Sequence, residues 1–196
     1  MVSPVLGFAR DMIGSRVLGA SHQNDAFNLA FLLPNIFRRL FAEGAFSSGF
    51  VPLFSRRLAA GGHEDAQAFS NEILSVFMPA LLLVTIVFVI FMPAVLLLVV
   101  PDYQAVPGKM ELATLLSRIT FPYLMFISLV ALLSGVLNSL MRFAVAAFPP
   151  ALLNVTLIIA LLIAPSNNKV EVVRYMAIAV LAGGILQFGL CWVAVR

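Results

Sequence analysis

Residues 25–52, DAFNLAFLLPNIFRRLFAEGAFSSGFVP, place two acidic and two basic side chains in an otherwise apolar stretch. A charge in hydrocarbon costs at least about 2 kcal/mol on insertion scales, so we expect these side chains to serve a function. At the pitch of an α-helix, the polar residues fall within roughly 80° of one another. They are Asp25, Asn28, Asn35, Arg39 and Glu43, with Arg38 about 60° further round. This pattern predicts a polar stripe that faces a cavity enclosed by protein.

Arg38 and Arg39 are adjacent cations near the middle of this segment, and Glu43 can neutralise only one of them. Planar guanidinium groups bind phosphate and carboxylate through paired hydrogen bonds. The arginine pair therefore predicts an anionic ligand in the cavity. Asp25 has a simpler alternative, because an aspartate at this position could cap a helix at the membrane surface.

A second polar face precedes this segment. Ser3, Gly7, Arg10 and Gly14 recur at a spacing of three or four residues, and Asp11 lies beside the arginine. Glycines leave room for a ligand headgroup or for another helix to approach closely. Two interpretations stay open, since paired charges are also the least costly way to keep charge in a membrane. Arg10 either binds a ligand or simply pairs with an acid in a static contact between helices.

The composition indicates a membrane protein. The chain is 62% hydrophobic and only 11% charged, whereas soluble domains contain about 25% charged residues. Runs without any Asp, Glu, Lys or Arg cover residues 73–101, 119–141, 143–168 and 175–195. Each reaches the length of about 20 residues that spans a bilayer core. We therefore expect an all-α integral membrane protein.

Apolar runs and turn signals predict about six transmembrane helices in a single domain that spans residues 1–196. Their expected ranges are 2–18, 25–58, 66–100, 110–141, 150–163 and 170–196. Residues 59–65, AAGGHED, form the clearest expected water-exposed loop. The doubled Arg56–Arg57 favours a cytoplasmic position for that loop, with both chain ends on the same side. Arg142 and Arg196 share this side, whereas Lys109, Lys169 and Arg174 lie on the other.

Other kinds of site receive little support. The arginines are scattered singly or in pairs, so no nucleic-acid partner is expected. His22 and His63 are far apart in sequence, and the chain has no acidic cluster of the kind that holds Mg²⁺ for pyrophosphate chemistry. We expect no cofactor and no metal site, which disfavours a membrane enzyme acting on prenyl pyrophosphates.

Several segments resemble the MurJ/MviN lipid II flippases of the multidrug/oligosaccharidyl-lipid/polysaccharide exporter superfamily. GFARD at 7–11 and NDAFNLAFLLPNIFRRLFAEGAFSSGFVP at 24–52 are similar to the N-terminal signature of that family. FPYLMFISLVALLSGVLNSLMRF at 121–143 and PALLN at 150–154 are similar to its fourth and fifth helices. The resemblance implies one lobe of a MATE-like two-lobe transporter in the bacterial inner membrane. The implied partners are an undecaprenyl-pyrophosphate-linked peptidoglycan precursor and membrane lipid.

The resemblance also implies a substrate-binding site. The matching positions, together with the two charged neighbours in the second helix, are Ser3, Arg10, Asp11, Asp25, Asn35, Arg38, Arg39 and Glu43. Two positions depart from the family pattern. Pro4 stands where the family usually has another cavity arginine, and Ala146 replaces a proline.

From the length, the resemblance further implies an N-terminal lobe whose partner, the C-terminal lobe, is absent from this chain. Alternating access requires both lobes. The alternatives are a polysaccharide-lipid flippase, a multidrug exporter of the same superfamily, or a truncated product that does not transport. A cationic-drug exporter would favour acids and aromatic residues in its cavity, which the arginines do not match.

Overall fold

A computed structural model describes residues 2–38 and 45–195 of the chain, with side chains for residues 3–37 and 49–195. The helices are α1 (Val2–Leu18), α2 (His22–Arg38), α3 (Ala45–Val99), α4 (Lys109–Thr120), α5 (Tyr123–Ser139), α6 (Phe143–Ala146), α7 (Pro149–Ile163) and α8 (Lys169–Val195). A 3₁₀ turn, Pro101–Ala105, links α3 to α4. The described ranges contain no strand, so the all-α class expected from the sequence is confirmed.

The helix α3 is a hairpin whose two arms run in opposite directions. Gly62 has φ 75° and ψ −166°, which is not helical. Phe50 and Phe69 stack with their ring centroids 5.8 Å apart, although 19 residues of straight helix would separate them by about 28 Å. The chain therefore reverses at Gly62, inside the segment where the sequence predicts a loop. Helical structure continues up to this glycine from both sides, so the turn is tighter than the seven residues expected.

The start of α2 differs from the sequence prediction. The helix begins at His22, and the backbone N–H of Asn24 donates to the hydroxyl of Ser21 at 3.4 Å. Serine is among the residues that favour this capping position. Asp25 therefore lies within the first turn rather than at the cap, where its negative charge still interacts favourably with the helix dipole.

The expected continuous helix at 110–141 is interrupted near its middle. Pro122 has no backbone N–H and cannot donate to the preceding turn. The N–H of Leu124 instead donates to the carbonyl of Phe121 at 2.9 Å, which closes a tight turn between α4 and α5. The interruption is local, since Lys109–Ser139 is still one apolar segment that is long enough to cross a membrane.

In the described part of the chain, three segments are long and apolar enough to cross a bilayer. They are Gly49–Val99, Lys109–Ser139 and Lys169–Val195. Pro149–Ile163 is apolar but shorter. These segments define an integral membrane protein, whereas the number of six spans stays a prediction.

Helix α8 packs against several of the other helices. It packs mainly against α7 and α5, and it also contacts α4 and α2. The larger core lies where α2, α4, α7 and α8 meet, and it includes Phe27, Leu116, Phe121, Leu157 and Val180. In contrast, α1 packs chiefly on α7. This arrangement leaves one face of α1 beside α2, at the edge of the core.

Charged residues mark the two ends of the bundle. At one end, Arg57 pairs with Asp65 at 3.2 Å beside the Gly62 turn, and Arg142 donates to the carbonyl of Ala194. At the other end, Lys169 donates to the carbonyl of Leu18 at 2.9 Å. The sequence prediction that the 59–65 turn lies in the cytoplasm can therefore be tested at either end.

We expect a cysteine at position 63 to resist an impermeant thiol reagent in intact cells, and a cysteine at position 104 to react. His63 is preferable to Gly62 because a side chain at a φ of 75° is strained. Both His63 and Gln104 are exposed, and the native Cys191 is buried. Labelling would be measured before and after permeabilisation. The reverse pattern would overturn the predicted orientation.

Candidate functional site

Arg10 lies on α1 with its guanidinium held from two sides. Its Nε and Nη2 donate to Oδ1 of Asp11 at 3.0 and 2.7 Å. Its Nη1 donates to Oδ1 of Asn154 on α7 at 3.0 Å. The side chain of Arg10 is 25% exposed and that of Asp11 is 66% exposed. The ion pair is therefore partly open to its surroundings rather than sealed in the core.

Asn154 is a site residue that the sequence reasoning did not single out. Besides accepting from Arg10, its Nδ2 donates to the carbonyl of Ser3 at 3.2 Å. The residue is 8% exposed. An asparagine in an apolar helix was the available signal, because a buried amide requires partners. Nothing in the sequence identified those partners, which lie about 150 positions away.

The glycine face predicted on α1 lies against α7. A Cβ added to Gly7 would come within 3.7 Å of Nδ2 of Asn154, and one added to Gly14 would come within 3.9 Å of Cδ1 of Leu161. Of the two possibilities left open by the spacing, the close approach of another helix is the one observed. Ser3 contributes its backbone carbonyl to this contact.

A cleft opens beside Arg10 between α1, α2, α7 and α8. It is lined by Arg10, Asp11, Gly14, Ser15, Leu18, Asn24, Phe27, Asn28, Phe31, Leu157 and Met176. Its polar atoms come from α1 and from one face of α2, whereas its base is apolar. A cleft that has both polar and apolar lining residues suits the polar headgroup of an amphiphilic ligand.

The other predicted site residues lie elsewhere. Oδ2 of Asp25 pairs with Nζ of Lys109 at 2.9 Å. On α2, Asp25 lies about a quarter turn away from Asn24 and Asn28, which line the cleft. Asn35 donates to the carbonyl of Phe31 one turn earlier at 2.8 Å. The side chain of Arg38, and the residues Arg39 and Glu43, lie outside the described part of the chain.

Arg10 has N–H donors to spare for an anion in the cleft. A guanidinium carries five N–H donors, and the three hydrogen bonds to Asp11 and Asn154 leave two without a partner among the described residues. Asp11 shares one oxygen between two donors, so a phosphate with two oxygens could replace it with better geometry. Within the described residues, no group of three or more His, Cys, Asp or Glu could hold a metal ion.

The apolar spans, the helical bundle and the polar cleft between helices define a multi-pass integral membrane protein. A family model described as lipid II flippase MurJ matches residues 15–196. The chain belongs to the MurJ family, as the sequence resemblance indicates.

Individual relatives agree with the family model. A probable lipid II flippase MurJ of Rhizobium meliloti (strain 1021) is 43% identical over 197 residues, covering 99% of this chain. The lipid II flippase MurJ of Burkholderia cenocepacia is 40% identical over 188 residues, covering 96% of this chain. A solved structure of a lipid II flippase MurJ in an inward closed conformation superposes with a TM-score of 0.76 at 30% identity, covering 95% of this chain.

The matches extend over only part of each relative. The chain spans 37% of the Rhizobium protein, 36% of the Burkholderia protein and 38% of the solved structure. Family membership and the membrane-length helices together assign the chain to the bacterial inner membrane as a multi-pass protein.

Proposed function

We propose that the cleft beside Arg10 binds the pyrophosphate of a lipid-linked peptidoglycan precursor during its transfer across the inner membrane. The observation that supports this most directly is the geometry of Arg10. Its guanidinium is oriented by Asp11 and Asn154, yet two of its N–H donors have no partner among the described residues. The relatives are named lipid II flippases, and lipid II is such an anionic amphiphile.

The physical case rests on charge in a medium of low dielectric constant. An arginine beside apolar walls attracts a phosphate more strongly than it would in water. Guanidinium also matches two phosphate oxygens with parallel hydrogen bonds. On binding, the phosphate would replace Asp11 on the Nε–Nη2 edge, and the exposed carboxylate of Asp11 would turn to water.

We propose that the chain acts in transport rather than in catalysis. The support is its membership of a family named for flippases. Flipping moves the headgroup between leaflets and makes or breaks no covalent bond. The site then has to bind the ligand reversibly, which hydrogen bonds from a partly exposed arginine allow.

A second lobe facing the cleft is part of the proposal. Arg10 and Asp11 are partly exposed, and lipid tails cannot satisfy such groups. In two-lobe transporters the facing surface is the other lobe, and rocking between the lobes exposes the site to each side in turn. The cleft-forming face of α1 and α2 would then form one half of the transport pathway.

The test is a comparison of ligands that differ only in the headgroup. The 196-residue chain in lipid nanodiscs would be titrated with a short-chain prenyl pyrophosphate and with the corresponding prenyl alcohol. We expect saturable binding of the pyrophosphate that weakens as salt rises, and at least tenfold weaker binding of the alcohol. Equal affinity for the two ligands would contradict recognition of the pyrophosphate.

A further inference from the structure

Asn154 connects the charged group of the cleft to the helix behind it. Its Oδ1 accepts from Nη1 of Arg10 at 3.0 Å, and its Nδ2 donates to the carbonyl of Ser3 at 3.2 Å. We propose that Asn154 is the positioning residue that fixes the plane of the Arg10 guanidinium for an anionic headgroup. This inference rests on the function proposed above and adds a residue on α7 to the recognition of the ligand.

The orientation of the amide is determined by its two partners. Arg10 offers only donors and the Ser3 carbonyl only accepts, so exchanging the amide oxygen and nitrogen would break both hydrogen bonds. The two bonds also connect positions seven residues apart on α1. Asn154 therefore fixes the tilt of α1 against α7 as well as the direction of the guanidinium.

Fixing the guanidinium in advance favours binding. A free arginine side chain has many rotamers, and ordering it when a ligand binds lowers the affinity. Here Asp11 holds the Nε–Nη2 edge and Asn154 holds Nη1. When a phosphate replaces Asp11, the bond to Asn154 is the contact that keeps the guanidinium plane in place.

A neutral acceptor suits this role better than an acid. Asp11 already balances the charge of Arg10, and a second carboxylate at position 154 would make the cleft net negative and repel a phosphate. A leucine of similar volume would keep the packing but leave Nη1 facing an apolar helix. Asparagine supplies an acceptor for Nη1 without adding a second negative charge beside Arg10.

The test compares two kinds of buried amide in the full chain in nanodiscs. Asn154→Leu should weaken binding of a short-chain prenyl pyrophosphate about tenfold, and Asn154→Asp should weaken it at least as much. Gln187→Leu is the matched control, because Gln187 on α8 is 1% exposed and its Nε2 donates to the Pro149 carbonyl at 2.5 Å. This control should lower the unfolding temperature without changing the affinity measured below it.

A double-mutant cycle distinguishes positioning of the Arg10 guanidinium from a purely structural role of Asn154 between α1 and α7. In an Arg10→Ala background, Asn154→Leu should have no further effect on affinity. Positioning would be overturned if the effect were the same in both backgrounds. It would also be overturned if Asn154→Leu lowered the unfolding temperature and left the affinity of the otherwise native chain unchanged.

A second readout does not depend on the ligand. The Nη1 group of Arg10, which donates to Asn154, should give a sharp ¹⁵N NMR signal in the native chain and a broadened one in Asn154→Leu. If the native chain fails to bind pyrophosphate but this difference is present, the proposed function fails and the positioning of Arg10 stands. Identical signals in the two proteins would overturn the positioning role.

Discussion

Replacing Arg10 with alanine should weaken binding of a prenyl pyrophosphate by about 10- to 100-fold, as expected for the loss of one or two charge-assisted hydrogen bonds. The variant removes the guanidinium, two of whose N–H groups have no partner among the described residues, and it leaves Asp11 as an unbalanced negative charge beside the cleft. Both changes disfavour an anion. Calorimetric titration of the nanodisc-embedded chain would measure the change.

Two variants serve as controls for this prediction. Arg16→Ala removes an exposed arginine from the same helix at a position outside the cleft lining, and it should leave the affinity unchanged at moderate salt. Arg10→Lys should recover only part of the loss, because an ammonium cannot make paired hydrogen bonds. If Arg10→Ala bound the prenyl pyrophosphate with native affinity, Arg10 would not be part of the binding site.

The sequence left two interpretations of Arg10 and Asp11 open, and the geometry makes them compatible. The two residues do pair with each other, as expected for the least costly way to keep an arginine in a membrane. The pair is also partly exposed, and the acid uses one oxygen for two donors. In the function proposed above, such an ion pair satisfies the arginine until a phosphate replaces Asp11.

The elements that depend on local patterns could be predicted from the sequence. Apolar runs predicted the all-α membrane class, and the segment AAGGHED at 59–65 indicated the turn between the arms of α3. The spacing of Gly7, Arg10 and Gly14 correctly placed them on one face. Local chemistry also explains where the structure differs from the prediction. Ser21, rather than Asp25, accepts the capping hydrogen bond of α2. Pro122 interrupts a helix that apolar composition alone suggests is continuous.

The partners of the polar groups could not be predicted in the same way. The hydrogen bond between Arg10 and Asn154 depends on how α7 packs on α1. The ion pair between Asp25 and Lys109 depends on how α4 packs on α2. Both are contacts between residues far apart in the sequence. Helical periodicity gives the face on which a residue lies but not the helix that this face meets.

The packing of α8 gives the second large expected effect. A Cβ at Gly184 would lie 2.6 Å from Cδ2 of Tyr123 and 3.2 Å from Cβ of Phe126. Tyr123 is 2% exposed, so its ring has little room to move. We expect Gly184→Val to lower the free energy of unfolding by about 1–3 kcal/mol, the usual cost of overpacking a core.

Gly189→Val is the matched control on the same helix, because a Cβ there would meet nothing within 4 Å. Valine also forms helix better than glycine by a few tenths of a kcal/mol, so this variant should be as stable as the native chain or slightly more stable. Thermal unfolding followed by circular dichroism would compare the two. Equal stability of both variants would contradict the close approach of α8 to α5.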